Sequence, residues 1–576
     1  MKPGRMPKLV ETLRGYNLKT FLNDLIAGLT VGLVALPLAM AFAISSGVPP
    51  QAGLYTAVVA GFLISALGGS KTQIGGPTGA FVVIVFGIVA QHGLNGLLVC
   101  TVMAGIMLVL LGLTGLGTAI QFIPRPVVIG FTNGIAVLIA STQIKDFFGL
   151  QIEHVPGEFV GRMHAIVTHF HTISATSTVL AVGALAVVIV CMTYFKKIPG
   201  SIVAMLLGTI VVALGLSVET IGTRFGGIPS GLPPITVPQF DLAMIPALLS
   251  PALTVALLGA IESLMSAVVA DRMSGDKHNP NVELVAQGIA NIAVPFVGGI
   301  PATGAIARTA TNIRSGAKTP VAGMIHALTL LAVLLFAAPL ARYIPLAVLS
   351  AILLVVAYNM GEWREIPKLL KMSWATIAVW ATTFTLTVFA DLTIAVQVGI
   401  VLAALLFIRK VAMTTTIENV TKDYVEDGRM HALQDKLIPD FVTIIRIHGP
   451  FLFGTTEKLL AIADQMENLR PVVILRLRNM TAIDATGLLA LEDFADKLRA
   501  ANRQLILCGA RPQPAKLMQQ AELQRHLGKE NICPHITAAL ERAQALQAKP
   551  VDTSPLAAPD GTTAGLPESH SGSCSP

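Results

Sequence analysis

Up to residue 410 the chain alternates long apolar runs with short polar breaks; beyond it the pattern changes. The runs "STVLAVGALAVVIVCMTYF" (177–195) and "SWATIAVWATTFTLTVFADLTIAVQVGIVLAALLFI" (373–408) exceed the roughly 18 apolar residues that mark a membrane helix. The second is long enough for two spans, broken near Asp391. The pattern predicts about fourteen membrane segments, starting near Asn23, Gly53, Thr78, Gly96, Val127, Ile173, Gly200, Ala247, Val282, Thr303, Thr319, Pro345, Ser373 and Leu392.

Two apolar stretches break their own helices with matching wording. "GGPTGAF" spans 75–81 and "GIPATGA" spans 299–305, and the Thr-Gly-Ala triplet recurs at an offset of 225 residues. "GLTVGLVALP" (28–37) resembles "ALTVALLGAI" (252–261) at an offset of 224. Seven segments separate the copies, and seven is odd, so the second copy is inverted in the membrane. Inverted repeats with paired interrupted helices mark secondary transporters, with substrate near the bilayer midplane. The expected fold is an α-helical polytopic membrane protein of 7+7 inverted repeats with two half-helices.

A small α/β domain follows. "FVTIIRI" (441–447), "VVILRL" (472–477) and "QLILC" (504–508) read as strands. "EKLLAIADQMENL" (457–469) and "TGLLALEDFADKLRAA" (486–501) read as helical crossovers. The expected organisation is an N-terminal arm (1–22), a transport domain (23–412), a linker (413–437), the α/β domain (438–546) and a Pro/Ser/Thr/Gly-rich disordered tail (547–576).

Composition agrees with this division. Of 576 residues, 53% are hydrophobic and 13% charged, against roughly 25% charged in a soluble domain. No cleavable signal peptide stands at the N-terminus. The five cysteines are scattered, without metal-ligand spacing or a disulfide framework; no metal or cofactor is expected. Placing the segments in order puts 18 basic residues on the side of the termini and four (Lys145, Arg162, Arg224, Arg342) on the other. That asymmetry implies cytoplasmic termini in the inner (plasma) membrane, and it accounts for the net charge of +7 without nucleic acid.

The breaks carry the candidate chemistry. Pro77 and Pro301 each precede a helical stretch, where proline is tolerated. Each break therefore begins a short helix whose first N–H groups lack intrahelical partners and carry the positive end of the dipole. Two such ends facing each other form an anion site. Its expected members are Thr78, Gly79, Ala80 and Phe81 with Thr303, Gly304, Ala305 and Ile306; the donors are backbone groups of Gly79–Phe81 and Gly304–Ile306. Arg308, one turn into the second short helix, either reinforces that potential or partners an acid or helix-end carbonyls. Glu262 lies mid-span, where a carboxyl group can take up and release a proton, which suits proton-coupled uptake. The alternative for Glu262 is a permanent ion pair with Arg308. Asp271, Arg272, Asp276, Lys277 and His278 read as a solvated inner loop. His154, His164, His169 and His171 read as outer-loop decoration.

These stretches resemble the sulfate permease family, which is related to the animal anion exchangers. The carrying residues are "GVPPQAGLYTAVVAG" (47–61), "GGPTGAFVV" (75–83), "GAIESLMSAVVADRMSG" (259–275) and "HNPNVELVAQGIANIAVPFVGGIPATGAIARTATNIRSGA" (278–317). The resemblance implies a core domain moving against a gate domain, a substrate site around Phe81 and Ala305, an arginine at Arg308 beside the anion, and a homodimer. "LPLAMAFA" (36–43), "QIKDFFGLQ" (143–151), "GAIESL" and "KHNPNVELVAQG" most resemble the proton-coupled C4-dicarboxylate type, with sulfate or bicarbonate the alternative substrate and sodium a less favoured coupling ion. Leu38 after Pro37 departs from the glutamine frequent in plant and animal members. The C-terminal domain resembles a STAS domain, through "IDATGLLAL" (483–491), which implies a cytoplasmic protein partner. Thr486 sits where some soluble relatives are phosphorylated, though a cap or plain loop role is the simpler reading. An uncoupled anion channel and a membrane-tethered signalling scaffold are the competing classes; no catalytic constellation points to an enzyme.

Overall fold

The computed structural model describes residues 6–117, 124–153, 155–195, 199–390, 392–420 and 438–548. Lys2, Arg5, His154, Lys196, Lys197, Asp391, Cys574, most of the expected linker and nearly all of the expected tail lie outside the described residues. The chain divides into two compact units, Met1–Ala404 and Leu405–Pro576.

Each of the fourteen expected segments falls on a helix among the described residues. They are α1 (Leu18–Ser45), α2 (Pro50–Leu67), α3 (Gly79–Leu113), α4 (Arg125–Phe148), α5 (Ala175–Tyr194), α6 (Gly200–Ala213), α7 (Ile245–Ser274), α8 (Pro280–Ala293), α9 (Ile306–Arg314), α10 (Val321–Phe336), α11 (Leu346–Met360), α12 (Trp374–Phe389) and α13 (Leu392–Thr414). Among the described residues, eight helices are long and apolar enough to cross a membrane. α3 holds two segments, because Gly93 breaks it with φ 68° and ψ −177°, a conformation that favours glycine. The starts are locally encoded. Asn17 caps α1 and Asn279 caps α8, each accepting from backbone N–H groups, and proline stands in the first turn of α2, α4, α7 and α8.

Packing repeats between the halves. α1 lies on α10 as α7 lies on α3; α2 lies on α10 as α8 lies on α3. In the same way α4 packs on α12 and α11 on α5, while α4 and α11 meet each other. Two bundles result: a core of α1–α3 with α7–α10, and a gate built on α4–α6 with α11–α13. Where α3 crosses α8, a Cβ on Gly105 would stand 2.8 Å from the Gly288 carbonyl oxygen, and one on Gly288 2.6 Å from that of Gly105. Such close backbone approach supplies the packing that apolar burial cannot supply in lipid.

Buried polar groups tie helix ends together. Asp24 of α1 accepts from the Lys318 and Thr319 amides at 2.7 and 3.1 Å and from Thr319 Oγ1 at 2.6 Å. Glu283 of α8 accepts from the Gly69 and Ser70 amides. The stretch Asp271–His278 is more ordered than a solvated loop. Asp271 holds His278 through Oδ2 at 2.7 Å, and Asp276 pairs with Lys71 at 3.1 Å and Lys8 at 3.8 Å. Arg162, expected among outer-loop charges, is buried and donates to Ser141 Oγ and to the Pro156 and Gly157 carbonyls.

The second unit is a five-stranded sheet ordered β3 (Thr416–Asn419), β4 (Val442–Phe451), β5 (Val472–Ile483), β6 (Gln504–Cys508), β7 (Ile532–Cys533). β3 is antiparallel to β4 and the rest are parallel. Alternate residues fill two cores. Ile445, Leu475 and Leu507 meet Leu488, Leu491 and Phe494 of α14 (Ala485–Ala500), while Ile444, Ile474 and Ile506 pack with Ala539 and Leu540 of α15 (Ile536–Gln547). That is the period-two burial of a sheet covered on both faces. β3 lies within the stretch expected as linker; its residues "TIEN" give only a short, half-polar edge strand.

Candidate functional site

The two breaks meet in the core bundle. Gly75–Gly76 (β1) and Thr303–Gly304 (β2) form a two-stranded antiparallel pair, Gly75 opposite Gly304 and Gly76 opposite Thr303. Gly76 takes φ 148°, and a Cβ there would stand 2.7 Å from Arg308 Nη1. Interior side chains satisfy the unwound backbone. Thr309 Oγ1 accepts from the Ile74 amide at 3.0 Å and bonds Ser266 Oγ at 3.1 Å. Gln73 Nε2 donates to the Ser263 carbonyl and Oγ, and Asn312 Nδ2 to the Thr72 carbonyl. Irregular backbone at membrane depth requires such partners.

Shortly after β1 and β2, α3 and α9 begin, and neither Thr78 nor Ala305, the residue before each, caps its helix with a side chain. Thr78, the residue before α3, turns its hydroxyl to Glu262 Oε2 at 2.8 Å instead of capping the helix. Thr303 Oγ1 donates to the Gly259 carbonyl at 2.8 Å. The Ala305 amide is engaged by the Ile74 carbonyl at 2.8 Å. Within the expected donor stretch Gly304–Ile306 the Ala305 amide is therefore taken, and Ile306 is the first residue of α9. In the first set, the Phe81 amide makes a long 3.3 Å bond to the Thr78 carbonyl, which leaves Gly79 and Ala80 as the uncapped leading donors.

The structure brings Thr78, Gly79, Ala80 and Phe81 together with Thr303, Gly304, Ala305, Ile306, Arg308 and Glu262. Arg308 is 2% exposed and donates through Nη2 to the Pro77 carbonyl. No ion pair joins Arg308 to Glu262 among the described residues, so each is held by a neutral group. A cavity of about 40 Å³ opens on Glu262 and Ile306. Its wall includes Val127, Phe131 and Thr132 of α4 and Val396 of α13, so core and gate both line it. Gly79 also touches the gate, since a Cβ there would lie 2.9 Å from Met360 and 3.1 Å from Ile139. A larger groove of about 570 Å³ lies among α5, α6 and α11, is almost wholly apolar, and contains none of the expected site residues.

Thr486 is exposed in the first turn of α14. The cap is Asp484, which accepts from the Gly487 amide at 2.8 Å and from the Phe453 amide at 3.0 Å. Gln73, Ser263, Thr309 and Asn312 were not among the expected site residues. The available signal was a set of polar residues in otherwise apolar segments.

Residues 21–383 match the family model described as "Sulfate permease family", and residues 434–539 match "STAS domain". The chain is 43% identical to the putative sulfate transporter YvdB of Bacillus subtilis, over 91% of this chain and 98% of that one. It is similar to the transmembrane domain of a cyanobacterium bicarbonate transporter, BicA, at 33% identity and TM-score 0.60, covering 67% of this chain and 98% of that one. Murine solute carrier 26 family member A9, an anion transporter solved in the inward-facing state, shares the fold at TM-score 0.84 and 18% identity, covering 94% of each chain. These names are sulfate, bicarbonate and anion transporters, not the C4-dicarboxylate type that the sequence most resembled.

Proposed function

The chain belongs to the sulfate permease family, as a multi-pass membrane anion transporter with a C-terminal STAS domain, and from that premise we propose proton-coupled uptake of a compact oxyanion of the sulfate class. The observation that carries this reading is the Thr78–Glu262 hydrogen bond beside two uncapped helix N-termini. An ionised Glu262 would occupy the same positive field that attracts an anion. Protonation removes that competing charge, so proton and anion enter the site together. Arg308, held by a carbonyl rather than by Glu262, adds a fixed positive charge. Because core and gate share the cavity wall, movement of one bundle against the other exposes the site alternately to each side.

The cavity of about 40 Å³ corresponds to roughly three waters, at about 10–15 Å³ each. The sulfate and bicarbonate names of the relatives support a compact ion. C4-dicarboxylates are the second reading, supported by the resemblance of the 36–43 and 277–288 stretches. The proposal also includes cytoplasmic termini in the plasma membrane, supported by the basic asymmetry, a homodimer, and a cytoplasmic protein partner for the STAS domain.

Labelled sulfate uptake by purified protein in liposomes tests the reading, with fumarate and bicarbonate in parallel. Acid outside should drive sulfate accumulation, and Glu262→Gln should still exchange sulfate while ignoring the gradient. Uptake by the unaltered protein that ignores the gradient would remove proton coupling. Fumarate uptake without sulfate uptake would reverse the order of substrates.

A further inference from the structure

Behind the anion site the core bundle carries buried polar atoms that no protein group satisfies. His326 of α10 is fully buried, and among the described residues neither ring nitrogen has a well-formed hydrogen bond. The Gly323 carbonyl, one turn back, lies near the ring without completing a well-aligned bond. Arg308 Nη1, Ser65 Oγ of α2, Thr72 Oγ1 and Asn312 Oδ1 are bare in the same way. Burying such groups unsatisfied is unfavourable, so each calls for a partner.

Glycines bring these atoms to one side of the first break. A Cβ on Gly61 of α2 would lie 3.4 Å from both the Gly75 carbonyl oxygen and His326 Nδ1. A Cβ on Gly323 would overlap Ser65 Oγ, and one on Gly76 would lie 2.7 Å from Arg308 Nη1. Both the histidine and the arginine therefore lie beside the Gly75–Gly76 backbone of the first break. Small polar spaces of this kind hold water, which makes two to four hydrogen bonds to otherwise unsatisfied groups.

We propose that the core bundle holds a hydrated pocket between α2, α10 and the first break, in which water joins Arg308 Nη1 to His326, and that His326 is a positioning residue for Arg308. The hydrogen-bonding chemistry matches. Arg308 Nη1 can only donate, while a neutral imidazole offers one acceptor nitrogen and one N–H. Water accepts from Nη1 and donates to the acceptor nitrogen of His326; the His326 N–H is then free for Ser65 Oγ or a second water. The guanidinium is thus fixed at both ends, by the Pro77 carbonyl at Nη2 and by hydrated His326 at Nη1. Glu262 is the acid whose charge reaches Arg308 from α7.

This inference rests on Arg308 serving the anion site, and two measurements separate its failure from failure of that reading. The first is a high-resolution electron cryo-microscopy map of the unaltered full chain in lipid nanodiscs. Ordered density within hydrogen-bond distance of both His326 and Arg308 Nη1 is expected; a dry pocket overturns the proposal. The second is sulfate uptake by His326→Leu and His326→Gln. His326→Leu should raise KM about five- to tenfold at nearly unchanged kcat, and His326→Gln, which keeps a donor and an acceptor, should return KM to within about twofold. A wild-type KM in His326→Leu overturns the positioning role. Absence of sulfate uptake by the unaltered chain would defeat the transport reading instead, and the map would still decide the pocket without any substitution.

Discussion

The two breaks share a backbone and differ in what they carry. At the first, Gly75–Gly76–Pro77–Thr78 leads into Gly79–Ala80–Phe81, an apolar first turn whose contributions are backbone groups and one hydroxyl aimed at Glu262. At the second, Pro301–Ala302–Thr303–Gly304 leads into α9, which brings Arg308, Thr309 and Asn312 into the bundle. Those side chains reach back across the pair to Pro77, Ile74 and Thr72. The first break therefore offers two carbonyl acceptors and one amide donor, and the second offers the side chains that bind them. Repetition supplied two helix N-termini; divergence supplied the fixed charge to one and the acid contact to the other.

Substitutions that treat the breaks as equivalent should have unequal effects. The largest is expected at Arg308, which has no counterpart in the first break. Arg308→Leu removes a charge-assisted hydrogen bond and the cation that the described residues place beside the breaks, worth about 1.5–3 kcal/mol. Sulfate KM should rise by roughly 10- to 100-fold. An unchanged KM would place the anion elsewhere.

The site glycines come next. A Cβ at Gly304 overlaps the Gln73 amide and lies 3.1 Å from Ser263 Cα. Gly304→Ala should cost about 1–3 kcal/mol by overpacking, visible as a lower unfolding temperature in detergent. At Gly79 the nearest obstacle is the flexible tip of Met360 across the gate. Gly79→Ala should spare the unfolding temperature and slow turnover instead. Equal thermal losses would contradict the assignment of one glycine to the core interior and the other to the moving boundary.

The paired threonines give a smaller and more diagnostic contrast. Thr78→Val removes the hydrogen bond to Glu262, worth about 0.5–1.5 kcal/mol, and should shift the pH dependence of uptake. Thr303→Val removes a bond to the Gly259 carbonyl and should leave that profile in place. The smallest effect on uptake is expected from Asp484→Ala. Loss of that cap costs the STAS domain about 0.5–2 kcal/mol, readable as faster amide exchange at 485–488, with uptake within about twofold.

Much of the transport fold was legible because apolar runs, prolines and glycines act locally. The fourteen segment starts needed only run length and breaks, and the pairing of the breaks needed only the repeated Thr-Gly-Ala. The internal wiring was not legible. Asp24 ties α1 to a turn nearly 300 residues away, and no periodicity encodes that. Arg308 was placed beside the anion, but its partner, the Pro77 carbonyl, is a backbone atom that no residue pattern identifies. The Ala305 amide, in the middle of the expected donor stretch, is taken by the Ile74 carbonyl, a consequence of strand register. Asp484 supplanted Thr486 as the cap because only the backbone path shows which side chain reaches the Gly487 amide.

The central claim is that an anion sits between two facing helix N-termini. The most direct test is a cryo-microscopy map of the full chain in nanodiscs at saturating sulfate, compared with a sulfate-free map. New density within hydrogen-bond distance of the Gly79–Ala80 and Ile306–Ala307 amides is the predicted result. Sulfate density confined to any other place, with those amides unchanged, would contradict it.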